Sequence, residues 1–248
     1  SPALDDAAFL WATFCYEQGE SDLAGAVCDL FRSDEVLTRS PYGERAAFLA
    51  LRAYHRGHDP LLFDDAYEHF VSRFPNSANR DLADFLRAKT VLEEERNWPR
   101  AVSLYRDFLD EHPASTAVPD ASIDLLCALA RCRDWDALWT HSAAIGSDLA
   151  ASSPRHAARA LVEAALYRFA LSADDSQVRE RLAQAASRFP ATSAGQEAER
   201  WQRALDSPLS LDGLDFQWEI SLRARVVIRD RLRSAQAHRA VSLAGQSD

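Results

Sequence analysis

The chain has 248 residues, a net charge of −10 and a hydrophobic fraction of 47%. These values are typical of a globular protein and exclude disordered, collagen-like and membrane-embedded chains. The acidic balance also argues against general nucleic-acid binding, which requires a basic surface. Only 8 glycines and 10 prolines interrupt the chain, so we expect long helices with short connections.

Apolar residues recur at helical spacing in eleven segments, and short polar stretches with capping residues separate these segments. In chain order the predicted helices are 4–18, 22–33, 42–56, 62–73, 79–95, 98–111, 119–132, 135–149, 154–171, 175–188 and 194–206. The sequence therefore predicts an all-α fold.

Prolines recur at a nearly regular interval along these helices. The series Pro41, Pro75, Pro113, Pro154 and Pro190 has spacings of about 34, 38, 41 and 36 residues, which are typical of helix–turn–helix repeats. Three of the prolines follow the same pattern of side chains, with offsets of 4, 7 and 12 residues from its first member. The three sets are Phe63, Tyr67 and Phe70; Ala101, Tyr105 and Phe108; and Val178, Leu182 and Ala185. These offsets place the side chains on one helical face, and the proline then ends the helix.

With these motifs the chain resembles a tetratricopeptide-repeat protein. The best unit covers residues 82–115, with Trp98 opening its second helix, Ala101 at the close-contact position, Tyr105 as the large ring and Pro113 as terminator. The endings FLDEHPAS and RFPNS are most similar to bacterial cell-envelope members, such as outer-membrane assembly lipoproteins and periplasmic division-coordination proteins.

The resemblance covers about residues 5–206 and implies a right-handed α-solenoid of about five helical hairpins. We therefore divide the chain into a repeat array, residues 1–206, and a C-terminal capping or docking segment, residues 207–248. One departure is clear: with strict spacing, the small residue expected in the first helix of the best unit is Lys89.

The resemblance also implies a partner-binding surface, because the first helix of each hairpin lines the concave face in this family. The residues carried over to that face are Phe9, Tyr16, Arg45, Phe48, Arg52, His55, Arg56, Glu93, Arg131 and Tyr167. Its arginines form a basic strip, and the guanidinium fork suits carboxylates and backbone carbonyls. The alternative is that they only offset local acids such as Glu44. The aromatic residues fit the inter-repeat core equally well.

No motif predicts catalysis or a cofactor. Phosphate-binding loops, nucleophile elbows and zinc spacings are absent from the sequence. His55, His58 and Asp59 form the only compact metal-like cluster, and we interpret it as a solvated joint between helices. The run 93–95 of three glutamates is typical of a solvated helix face. We predict a non-catalytic protein that needs no cofactor or metal.

The cysteines allow two interpretations. Cys15 and Cys28 lie on neighbouring predicted helices, where they are either small core residues or a disulfide.

The C-terminal segment differs from the repeats. From Leu214 to Ile228 apolar and polar residues alternate, as in a strand, but helical spacing is also present, and we favour a helix. The segment from Leu214 onward carries a formal charge of +2, whereas the rest of the chain carries −12. It could cap the array, dock in its groove, bind a partner or self-associate. Its candidate docking residues are Trp218, Leu222 and Arg225.

The sequence thus favours a scaffold that binds a protein or peptide partner, with no nucleic acid and no transmembrane segment. We expect the periplasm or cell envelope as its location, with the cytoplasm as the alternative. The second hypothesis is the helical accessory domain of a larger enzyme, such as a lytic transglycosylase. A third is the regulatory arm of a signalling protein.

Overall fold

A computed structural model of the protein describes residues 2–171 and 176–206. Within these two ranges the chain forms eleven α-helices and no strand, so the all-α prediction is confirmed. The predictions for Trp218, Leu222 and Arg225, and for a helix or strand before Ile228, concern residues outside the described ranges.

The helices occur where the apolar periodicity predicts them. Their bounds are α1 Pro2–Glu17, α2 Ser21–Ser33, α3 Gly43–Arg56, α4 Pro60–Arg73, α5 Arg80–Thr90, α6 Trp98–Glu111, α7 Val118–Cys132, α8 Trp135–Asp148, α9 Pro154–Leu171, α10 Ser176–Arg188 and α11 Ser193–Asp206. A π-helical turn, Val91–Glu95, continues α5, and a 3₁₀ turn, Leu37–Arg39, precedes α3. With the π-helical turn counted as the end of α5, every predicted helix end is within two residues of the observed one.

Local signals explain several of these ends. Pro60 lies in the first turn of α4, where a missing N–H costs nothing. Asp59 caps that turn, because its Oδ1 accepts from the N–H groups of Leu61 and Leu62 at 3.1 and 3.0 Å. At the other end, α4 stops at Arg73, two residues before Pro75.

The chain divides into two compact units, Ser1–Ala121 and Ser122–Asp248. In the first unit, each helix from α1 to α4 packs against the next one in sequence, and α5 packs against α4 and α6. The helices α1, α3 and α5 also contact one another in series, α1 with α3 and α3 with α5. The core between them includes Leu51, Phe63 and Phe70. Alternate helices of the first unit are therefore neighbours.

The helices α2 and α3 of the first unit approach each other closely at Gly25. A Cβ added to Gly25 would lie 2.6 Å from Cζ of Tyr54, which is closer than real carbon atoms pack. The Tyr54 hydroxyl donates to Asp29 at 2.6 Å, and burial followed by this hydrogen bond raises the pKa of Tyr54. The absence of a side chain at Gly25 therefore allows these two helices to approach closely.

The π-helical turn changes the register at the end of α5. Such a turn holds one more residue than an α-helical turn. Ala88 is fully buried, whereas Lys89 is partly exposed, with its Nζ 3.6 Å from Oε1 of Glu93. The small buried residue nearest to this position is therefore Ala88, one position before the Lys89 that strict spacing indicates.

Cys15 and Cys28 are both free and buried. Cys15 packs against Ala24 and Ala53, and Cys28 belongs to the main core of the first unit. Burial raises the pKa of the Cys28 thiol to about 12. Of the two interpretations of this pair, the structure confirms that of small core residues.

In the second unit, α9 packs against α8, α10 and α11, and α10 also packs against α11. Its core includes the fully buried Leu138, Leu161 and Trp201. Over the ranges 2–171 and 176–206, the structure contains no helix whose length and hydropathy would allow it to span a bilayer.

Candidate functional site

The first unit contains an open groove of about 580 Å³ lined by α1, α3, α5 and the α3–α4 joint. The lining residues are Tyr16, Phe48, Arg52, His55, Arg56, His58, Leu82, Phe85 and Leu86. Five of the ten residues predicted to bind a partner therefore meet in one place. We call this feature the α1–α3–α5 groove.

The apolar floor of the groove is fixed by the core beneath it. The Phe48 ring lies 5.7 Å from the ring of Phe70 between centroids, and Phe70 is fully buried. Phe85 contacts the rings of Tyr105 and Phe108 at 6.4 and 5.8 Å. Because both floor rings pack on buried aromatic side chains, the groove is preorganised and offers apolar surface without rearrangement.

Two arginines of α3 form one wall of the groove. The guanidinium carbon of Arg52 lies 4.8 Å from the ring centroid of Tyr16, and that of Arg56 lies 5.1 Å from the same ring. Cation–π contacts of this kind hold a guanidinium in place without occupying all of its N–H donors. Tyr16 therefore positions two cations beside the apolar floor.

A second stack occurs where α1 meets the beginning of α3, outside the groove lining. The Phe9 ring stacks on Tyr42 with 4.9 Å between centroids, and the guanidinium of Arg45 lies 4.6 Å above Phe9. Phe9 and Arg45, both predicted to bind a partner, lie instead in a stack of their own at the contact between α1 and α3.

The three α3 arginines, Arg45, Arg52 and Arg56, form no ion pair with any residue in the described part of the chain. Arg32 of α2 shows the contrast, since it donates to Asp65 at 2.6 Å. The local acid Glu44 accepts from the hydroxyl of Ser77 at 2.6 Å. No acid among the described residues pairs with these arginines, so the structure gives no support to the interpretation that they only offset neighbouring acids.

Two histidines at the rim of the groove have opposite electrostatic environments. His55 shares a 2.9 Å hydrogen bond with the buried Thr90, and burial, followed by the charge of Lys89, lowers the pKa of His55 to about 4. The exposed His58 contacts Glu94 at 2.5 Å, and this hydrogen bond raises the pKa of His58. The joint therefore contains an exposed histidine, consistent with the solvated joint predicted from the sequence, and it also makes specific polar contacts with Thr90 and Glu94.

The three consecutive glutamates also have specific partners. Glu93 lies near Lys89, Glu94 near His58, and Glu95 accepts from Arg100 at 2.7 Å. The π-helical turn directs them to different neighbours, so the run is more than a solvated helix face. Glu93 is exposed but does not line the groove.

Arg131 and Tyr167 belong to the second unit. Arg131 is exposed on α7. Tyr167 is buried, and this burial raises the pKa of its hydroxyl. Because its ring is enclosed within the second unit, we leave Tyr167 out of the proposed binding surface.

A polar cluster ties together three helices on another part of the first unit. Asp84 accepts from the Tyr67 hydroxyl at 2.5 Å and from Nε of Arg80 at 2.9 Å, and it contacts Nε2 of His112 at 2.9 Å. With Glu111 and His112, Asp84 is also the one group within the described ranges whose ligand atoms lie close enough to share a metal ion. Since both Asp84 oxygens already have protein partners, we assign the cluster a structural role.

Leu82, Phe85 and His58 line the groove, yet the sequence did not single them out as binding residues. Phe85 and Leu86 follow Leu82 by three and four residues, which places both beside Leu82 on one face of α5. That face has the pattern of an ordinary core helix, and only its contact with α3 shows that part of it lines a groove.

Comparison with known proteins adds no family assignment: no family model matches the chain, and no curated protein matches it. The geometry of the groove is therefore the basis for a functional assignment.

Proposed function

We propose that this protein is a tetratricopeptide-like adaptor that binds an acidic, partly apolar peptide segment of a partner protein. In this proposal the repeats form a right-handed α-solenoid, and the α1–α3–α5 groove is part of its concave face. The adaptor is non-catalytic, and its partner supplies whatever chemistry follows.

One observation carries the proposal: Arg52 is held over Tyr16 beside an apolar floor and has no carboxylate partner in the described part of the chain. In a protein of net charge −10, an arginine at a groove without a carboxylate partner among the described residues is an attractive site for an anionic group. A carboxylate could accept two N–H bonds from one guanidinium. The neighbouring Phe48 and Phe85 would bury an adjacent apolar side chain.

The strength of this contact can be bounded. A hydrogen bond to a charged group contributes about 1.5–3 kcal/mol, which corresponds to about a tenfold to hundredfold change in affinity. Loss of one arginine should therefore be measurable even where apolar contacts provide most of the affinity.

The test begins with selection of peptides from a random library displayed on phage, using the wild-type protein. We expect enrichment of sequences in which Asp or Glu neighbours Leu, Ile or Phe. The Kd of an enriched peptide is then measured by fluorescence anisotropy. Arg52→Glu should weaken binding at least about tenfold, because it places a negative charge opposite the peptide carboxylate.

The matched control is Arg106→Glu. Arg106 is an exposed arginine of α6 outside the groove, so its reversal changes the net charge equally and should leave the Kd within about twofold. Enrichment of peptides without acidic residues, or equal effects of the two reversals, would rule out the proposed recognition.

The solenoid architecture has its own test by solution X-ray scattering. A compact single domain of this length should have a radius of gyration of about 18 Å. We expect a larger value, since stacked hairpins extend in one direction.

For location we propose the bacterial cell envelope, on the basis of the FLDEHPAS and RFPNS repeat endings. Immunoblotting of periplasmic and cytoplasmic fractions tests this placement, and recovery in the cytoplasmic fraction alone would refute it.

A further inference from the structure

The outer face of α1 is an exposed apolar surface that is separate from the groove. Leu4, Leu10, Trp11 and Phe14 have relative exposures of 50%, 67%, 51% and 51%. The rings of Trp11 and Phe14 stack on each other at 5.7 Å between centroids. We call these four residues the α1 outer stripe.

The spacing of this stripe is that of a helix–helix contact. Together with Ala7, the stripe residues Leu4, Trp11 and Phe14 follow one another at intervals of three, four and three residues, which is the seam spacing of packed helices. Leu10 borders this seam four residues before Phe14. Ala7 is exposed like the stripe residues. The opposite side of α1 carries the buried Ala12 and packs within the first unit, where α1 contacts α2 and α3. The stripe therefore has the pattern of a buried seam but faces solvent.

The next helix adds to this exposed surface. Leu23 and Leu30 of α2 are seven residues apart and are both exposed, so they lie on one helical face. Across the described ranges, six of the nine large hydrophobic residues that are exposed belong to α1 and α2. Such a concentration on one hairpin marks an interaction surface, because isolated exposed apolar residues would be scattered.

The charge of the same hairpin restricts its partner. Residues 1–31 contain six acidic side chains and no lysine, arginine or histidine. Asp6 and Glu17 lie on α1 itself and are exposed. The one basic residue of the two helices, Arg32, pairs with Asp65 of α4. An apolar stripe on a hairpin whose other charged side chains are all acidic is complementary to a helix that has one apolar face and basic flanks.

We infer that the α1 outer stripe binds a basic amphipathic helix of a partner protein. Leu4, Trp11 and Phe14 would pack against apolar residues of that helix at positions i, i+3, i+4 and i+7. The acidic side chains of the hairpin would face its lysines and arginines. A second copy of this chain fits less well, since pairing two α1 helices in either direction brings acidic residues next to acidic residues.

The experiment uses two synthetic helical peptides of about 18 residues, long enough for five turns. Both carry the same leucine stripe, and their remaining positions are Arg and Ala in one peptide and Glu and Ala in the other. Binding to the full chain is measured by fluorescence anisotropy. We expect the basic peptide to bind at least tenfold more tightly than the acidic one, and to bind more weakly as NaCl is raised from about 50 to about 300 mM.

Two variants locate the site. In the double variant Leu10→Ser with Phe14→Ser, both substituted side chains are exposed, so the fold should be kept, as circular dichroism melting can verify. It should lose at least tenfold in affinity for the basic peptide. The control is Leu61→Ser on α4, which removes a residue of 82% exposure outside the stripe and should change the affinity less than twofold.

Three results would overturn the inference. One is equal binding of the acidic and basic peptides, and another is an equal loss in the Leu61→Ser control. The third is a concentration-dependent dimer, seen by light scattering, that the double variant dissociates, because the stripe would then be occupied by a second copy. None of these results bears on Arg52, so the groove proposal stands or fails separately.

Discussion

Arg56 makes two contacts with Tyr16: its Nη1 donates to the Tyr16 carbonyl oxygen at 2.9 Å, and its guanidinium lies 5.1 Å from the ring centroid. The hydrogen bond joins the end of α3 to the last turn of α1, where a cation also interacts favourably with the helix dipole. Arg52 shares the ring contact but makes no such backbone bond. The two arginines therefore have different roles.

This difference predicts opposite outcomes for two alanine variants. Arg56→Ala should lower the free energy of unfolding by about 1–2 kcal/mol, because a charged hydrogen bond between helices is lost. Arg52→Ala should change it by less than about 0.5 kcal/mol, while weakening the selected acidic peptide. Urea unfolding and fluorescence anisotropy measure the two effects. Equal destabilisation by both variants would show that Arg52 is also structural.

Gly25→Ala should destabilise the first unit. The new Cβ would overlap the ring of Tyr54, which is itself buried and bonded to Asp29. Overpacking of this kind costs about 1–3 kcal/mol. The matched control is Gly43→Ala in the first turn of α3, where a Cβ would meet Phe74 at an ordinary 3.8 Å and should be neutral or slightly stabilising. Thermal melting of both variants gives the comparison.

Asp84→Ala should also lower stability, by about 2–3 kcal/mol, because it leaves Tyr67, Arg80 and His112 without their common partner. Asp107→Ala on the exposed face of α6 is the control and should be near neutral. The loss should be the same in buffer with and without EDTA. A destabilisation that appears only without the chelator would instead identify the cluster as a metal site.

The histidines at the groove rim predict a pH dependence with two opposing contributions. The unfolded chain protonates His55 near pH 6.5, but the folded chain does so only near pH 4. The stability contributed by neutral His55 is therefore present above about pH 6.5 and is lost as the pH falls towards 4. His58 behaves in the opposite way, because Glu94 raises its pKa. The stability that protonated His58 contributes is present below about pH 6.5 and is lost as the pH rises through the pKa of His58 in the folded chain.

Asparagine variants separate these contributions, since Asn keeps a polar group at each position and tolerates the left-handed backbone of His58, where φ is 58°. His55→Asn should reduce the fall in Tm between pH 7 and pH 5, and His58→Asn should increase it. Calorimetry at several pH values measures both. Identical pH profiles for wild type and His55→Asn would contradict the assignment.

Local signals in the sequence were sufficient to predict the helices. Pro60 and Asp59 act within one turn of the helix that they begin, so the start of α4 depends on short-range geometry alone. The same holds for the three sets of apolar side chains that precede the repeat prolines. Such features require no knowledge of which helices become neighbours.

Features that depend on long-range contacts could not be predicted in the same way. Strict spacing selected Lys89 as the small contact residue, but the π-helical turn places an additional residue between that position and Ala101, so Ala88 is buried instead. Phe85 likewise has the pattern of a core residue. It becomes part of a groove because α5 packs beside α3, and this packing is not encoded within α5.

The stacked pair at Trp11 and Phe14 also gives the molecule an optical label. Among the tryptophans of the described ranges, only Trp11 is exposed, while Trp201 is fully buried. Among these described tryptophans, Trp11 is therefore the one whose emission is most accessible to a dissolved quencher. Because the surrounding hairpin is acidic, caesium ions should reach this indole more readily than iodide ions. A change in that preference reports directly on whether a cationic molecule covers the first helix.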